Sequence, residues 1–172
     1  MKENDEMIEN KSTVVLESNR IQTITPLKHL CKRVRYRQSE CTECVDICPT
    51  SAVSLTFGPE INDDCINCGL CAVVCPTQSF DDILNSNEML LQELLNLREK
   101  SQKQNCPDMI NIHCHQFITD DEPSIGVNCI GNISEHFLLA ANFEGVKELV
   151  ISTGSCDQCV LKKGRDLFGH TV

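Results

Sequence analysis

The 172-residue chain has no tryptophan and one tyrosine, and aromatic residues make up only 4% of it. Large rings therefore cannot supply much of a core. A small domain of this kind needs a further source of stability, and bound metal is one. No apolar run approaches the ~18–20 residues of a bilayer-crossing helix, so no membrane span is expected. Met1 to Ser12 is mostly polar and charged, with no apolar stretch of the kind that opens a secretory signal. The formal charge of −10 disfavours nucleic acid as a partner. A Gly-rich phosphate loop is missing, as is any paired nucleophile and base, so the chain is assigned no reaction of its own.

What the chain does have is thirteen cysteines. Their odd number and tight spacing argue against a secreted disulfide framework and for a reducing, cytoplasmic setting. One run is Cys65-x2-Cys68-x2-Cys71-x3-Cys75-Pro76, and a companion, Cys41-x2-Cys44-x3-Cys48-Pro49, precedes it. They form an internal repeat, in which Cys41 to Thr50 parallels Cys68 to Thr77.

Residues 31–77, with these two runs each closed by Cys-Pro, resemble the two-cluster bacterial ferredoxins. The resemblance implies an electron carrier with two [4Fe–4S] clusters. In such proteins the cysteine before Pro crosses to the other cluster. One cluster would then take Cys65, Cys68, Cys71 and Cys48. The other would take Cys41, Cys44, Cys75 and one more. Three residues before Cys41, where the family has its remaining cysteine, this chain has Gln38. Cys31, separated from Cys41 by nine residues, is the nearest upstream replacement. The rival is a [3Fe–4S] cluster with Cys31 merely buried.

Five cysteines remain: Cys106, Cys114, Cys129, Cys156 and Cys159. Residues 110–114 and 125–129 read as strands, and 149–151 as a third. Ser134 to Glu144 reads as a helix, with Ser134 as N-cap, Ile133 and Leu138 as a staple, and Gly145 as its stop. Strand, helix and strand predict a βαβ unit with a parallel pair. Ligands of open parallel sheets gather at the carboxyl ends of the strands, where Cys114, Cys129, Cys156 and Cys159 would meet. Cys106 lies apart and reads as a spare thiol. His113 and His115 flank Cys114 and are expected on the opposite strand face.

Residues 127–164 resemble the small iron–sulfur subunit of F420-non-reducing hydrogenase and heterodisulfide reductase assemblies, the MvhD/FlpD-like domain. The matching residues are Cys129-Ile130-Gly131, the helix that follows, Gly145 to Ile151, Gly154-Ser155-Cys156 and Cys159. This resemblance implies a [2Fe–2S] cluster on Cys114, Cys129, Cys156 and Cys159. A structural Zn or free thiols are the alternatives. Asn132 stands where that family usually has Arg, which points to a changed partner contact.

The expected fold class is α+β. Residues 1–12 are a disordered N-terminus, and 13–80 the ferredoxin module, with a possible hairpin at 13–25. Residues 81–107 hold a linker and a connecting helix, and 108–172 a small α/β metal domain. The linker is read at 77–86 and the helix at 87–103, with Leu90, Leu94 and Leu97 on one face and Ser86 as its cap. The functional expectation is electron transfer, as a carrier or as a subunit of an anaerobic oxidoreductase, with a redox protein or larger complex as partner. Two other readings stay open: a redox- or iron-sensing interaction protein with a structural zinc, and an enzyme subunit using the C-terminal site for thiol chemistry. Lys28 to Arg37 carries five cations and no acid, as a solvated loop, a docking patch or a means of raising a nearby potential.

Overall fold

The computed structural model describes residues 22–103, 109–115 and 124–169. The disorder expected over 1–12, most of the hairpin expected at 13–25, Cys106 and His170 lie outside the described residues.

In chain order the elements are β1 (Ile24–Pro26), α1 (Lys32–Arg35), α2 (Glu43–Ile47), β2 (Val53–Ser54), β3 (Glu60–Ile61), α3 (Leu70–Val74) and β4 (Phe80–Asp82). There follow α4 (Asn87–Lys103), β5 (Met109–Cys114), β6 (Ser124–Val127), α5 (Glu135–Phe143), β7 (Glu148–Ser152) and α6 (Lys163–Gly169). Helices and strands are mixed, in an α+β arrangement with a parallel three-stranded sheet. Among the described residues no helix is long and apolar enough to cross a membrane.

The cysteine-rich half is built on two short antiparallel pairs, β1 with β4 and β2 with β3. The expected linker at 77–86 is thus partly a strand. Phe-Asp-Asp has weak strand propensity, but Phe80 is buried and its backbone pairs with Pro26, so tertiary pairing overrides local preference. Ile24, Cys44, Val53, Cys71 and Phe80 form the core of this half.

α4 spans the predicted residues. Ser86 Oγ accepts from Met89 N–H at 3.2 Å and its carbonyl from Leu90 N–H at 3.1 Å, as an N-cap does. Leu90 and Leu94 are buried, and Leu91 and Leu97 pack beside them.

The sheet order is β6-β5-β7, all parallel. The βαβ expectation therefore needs a correction: β6 and β7, joined through α5, do not pair with each other, because β5 lies between them. Ile110 and Ile112 on the central strand β5 are buried, as expected of a strand paired on both sides. Ser134 caps α5, its Oγ accepting from Phe137 N–H at 3.1 Å, and Gly145 follows with φ +80°. Both match the sequence signals. The core of the sheet also contains Cys68 and Leu70, so part of the cysteine-rich half packs into it.

Candidate metal centres

The Cys-Pro-Thr repeat folds the same way twice. Ser51 and Gln78, each three residues after its cysteine, take left-handed φ values of 56° and 51°. Such a conformation costs a non-glycine residue on the order of 1 kcal/mol. It doubles the chain back so that the next N–H meets the sulfur. Ala52 N–H donates to Cys48 Sγ at 3.3 Å, and Ser79 N–H to Cys75 Sγ at 3.2 Å. Thr50 and Thr77 hydroxyls stand 3.7 Å from the same sulfurs. Burial pushes both thiols up, but these hydrogen bonds outweigh it and hold Cys48 and Cys75 below the ordinary value. Asn67, also left-handed, donates its N–H to Cys65 Sγ at 3.4 Å. The strained positions went unread in the sequence; the duplicated Cys-Pro-Thr was the signal that could have found them.

The buried thiols are pushed up by burial and by the charge of neighbouring cysteines. Burial raises Cys44 to about 11, with Cys75, Cys31 and Cys41 adding to the rise. Burial also raises Cys71 strongly, followed by the charges of Cys68, Cys65 and Cys48, and last Cys44. Cys68 is raised by burial and then by Cys48 and Cys65. The influence of Cys44 on Cys71 crosses the two sequence-expected quartets, so the thiols of this half form one coupled group, within which Cys31 lies near Cys44. An apolar hollow is lined by Cys31, Cys41, Cys44, Cys75, Leu55 and Phe80.

At the sheet edge, Cys114 ends β5, Cys129 lies just past β6, and Cys156 and Cys159 bound a single turn after β7. Burial raises Cys129 to about 11, with Cys159, Cys156 and Cys114 contributing in that order. N–H groups again face sulfur: Gly131 to Cys129 at 3.4 Å, Gly154 to Cys114 at 3.4 Å and Leu161 to Cys159 at 3.3 Å. His113 lies on the strand face opposite Cys114, and its Nδ1 is buried without a hydrogen-bond partner among the described residues. His115 is exposed.

Nothing local in the sequence marks Gly164 or α6 as part of the site. The structure packs α6 on the Cys129–Asn132 turn. A methyl on Gly164 would lie 2.3 Å from Cys129 Sγ, and one on Gly131 would lie 2.7 Å from Gly164 Cα. Leu70, fully buried, fills the same corner from α3. Asn132 Nδ2 donates to Cys68 O at 2.9 Å, and Asn128 Nδ2 to Asn67 O at 3.1 Å. The sheet-edge cysteines are thereby tied to the Cys65–Cys71 loop. Asn132, which the sequence suggested for a partner contact, makes an internal one.

The donor set is all sulfur, with backbone N–H groups aimed at it, and this fits iron–sulfur ligation. Among the described residues no three His, Cys, Asp or Glu side chains form a group that could hold a single metal ion.

Residues 60–81 match the 4Fe-4S binding domain family. The match spans Cys65, Cys68, Cys71 and Cys75 and identifies an iron–sulfur, ferredoxin-like module that binds at least one [4Fe–4S] cluster and has a general role in electron transfer. No curated protein and no solved structure matches the chain.

Proposed function

We propose that the chain relays single electrons through two [4Fe–4S] clusters and a third iron–sulfur site, as a carrier or as a subunit of an anaerobic oxidoreductase. Cys48, Cys65, Cys68 and Cys71 hold the first cluster, and Cys31, Cys41, Cys44 and Cys75 the second. Cys114, Cys129, Cys156 and Cys159 hold a [2Fe–2S] cluster. The observation that carries this reading is the match of residues 60–81 to the 4Fe-4S binding domain, supported by the backbone N–H groups aimed at Cys48, Cys75, Cys114, Cys129 and Cys159 and by the hollow lined by Cys31, Cys41, Cys44 and Cys75. The resemblance of residues 127–164 to the hydrogenase and heterodisulfide reductase subunit supports the [2Fe–2S] assignment over zinc.

When bound, such a cluster accepts and gives up one electron with little change of shape. The protein supplies the surroundings. Ala52, Asn67, Ser79, Gly131, Gly154 and Leu161 N–H groups offset the negative charge on the sulfurs. Burial of Cys44, Cys68, Cys71 and Cys129 keeps water away. Leu70, Asn128 and Asn132 hold the sheet-edge site against the Cys65–Cys71 loop. Domain limits of 13–80, 81–107 and 108–172 go with this reading, the last two closed onto the first by that contact.

Cys31→Ser, purified without oxygen, tests the ligand set. The expected result is loss of one [4Fe–4S] signal in the electron paramagnetic resonance of the reduced protein, with the other signal kept. A variant that retains both [4Fe–4S] signals removes Cys31 from the scheme.

A further inference from the structure

The face carrying α1 differs in charge from the rest of this acidic molecule. Lys28 pairs with Glu60 at 2.6 Å. Lys32, Arg33, Arg35 and Arg37 form no ion pair with any described carboxylate. The Arg35 guanidinium lies 5.7 Å from the Tyr36 ring centre. Among these cations stand three exposed apolar side chains: Val34, Tyr36 and Phe57, the last 81% exposed. Arg33, Val34, Arg37 and Phe57 line one open groove. Lys32, Tyr36, Cys41 and Pro76 line another, which reaches the Cys31–Cys75 site. Glu40 lines both grooves and Glu43 the second, so two carboxylates border a face whose α1 side carries Lys32, Arg33 and Arg35.

We propose that this face docks an acidic redox protein, a proposal that rests on the electron-transfer reading above. The cations of α1 and Arg37 meet carboxylates of the partner, and Val34, Tyr36 and Phe57 form the apolar centre of the contact. Exposed aromatic and Arg side chains together are the composition of a protein interface. A uniform polyanion suits the face less well, because Glu40 and Glu43 and the chain's overall charge of −10 repel it. An acidic partner is steered toward this basic face. The groove through Cys41 then sets the partner close to the Cys31, Cys41, Cys44 and Cys75 site.

The test uses the full chain purified without oxygen, with flavodoxin as an acidic probe. Affinity is measured by titration calorimetry over a salt series, and iron is measured on the same samples. Expected is binding that weakens as salt rises. Arg33→Glu with Arg37→Glu should weaken it by at least about tenfold at low salt and flatten its salt dependence. Phe57→Ser should weaken it while leaving the salt slope in place. Equal affinity for the charge-reversed protein overturns the proposal. So does tighter binding to duplex DNA or to phosphatidylserine vesicles than to flavodoxin. Binding that requires removal of residues 1–21 assigns the face to the chain's own acidic N-terminal segment and also overturns it. Iron-loaded protein that fails to bind defeats the docking face alone. Iron-free protein that binds defeats the electron-transfer reading alone.

Discussion

A single hydrogen atom in place of a methyl makes room for the sheet-edge site. Gly164 sits against Cys129 Sγ, Leu70 and Gly131, and nothing there can move far without shifting the α6 backbone or the sulfur itself. Gly164→Ala should destabilise the fold by about 1–3 kcal/mol, the usual cost of overpacking, and should lower metal retention at Cys129. Thermal unfolding and metal analysis of the variant check both. The titration of buried thiols gives a second expectation. Cys44 and Cys129 in the metal-free chain lie at about 11 against an ordinary 9.0. Between those values the folded chain holds protons that the unfolded chain has lost. The stability they contribute is complete below pH 9 and disappears as pH rises through 11. Cys48 and Cys75, held low, act in the opposite sense. The urea midpoint of the metal-free protein should thus fall across pH 9 to 11, and fall less in Cys129→Ala. Cysteine spacing made the ligand candidates legible. Gly164 was not legible, because its neighbours Leu70 and Cys129 lie far away in sequence and meet it only through the packing of α6.

The helices were readable because their signals are local. The leucine spacing of α4, its Ser86 cap, and the Ser134 cap and Gly145 stop of α5 all lie within the elements they define. Ser134 also bonds Asn87 Oδ1 at 2.7 Å, tying the start of α5 to the start of α4. Ser134→Ala should therefore cost about 1 kcal/mol, and up to ~2 with the second bond lost. Denaturant unfolding measures it, and a change within error would mean that water replaces the cap. Strands were harder. β4 is three residues of Phe-Asp-Asp and exists because β1 supplies its partner. The order β6-β5-β7 depends on which strand is central, a choice that short apolar runs do not encode.

At the scale of the whole molecule the proposal is three sulfur quartets, two in the duplicated loops and one at the sheet edge, with Cys68 and Leu70 packed into the core of the sheet. The first two follow from a duplicated loop whose spacing can be read directly. The third needs a parallel sheet to collect cysteines spread from 114 to 159 at one edge. The link between them was not readable, because Asn128, Asn132 and Leu70 carry no local sign that they meet the Cys65–Cys71 loop. This link makes the sites one assembly rather than two modules on a string, and so makes a relay through the chain geometrically sensible. The most direct test is iron and acid-labile sulfide per chain in protein purified without oxygen. The account predicts roughly ten of each, the content of two [4Fe–4S] clusters and one [2Fe–2S] cluster. Iron sufficient for one [4Fe–4S] cluster alone, with zinc or free thiols making up the rest, would contradict it.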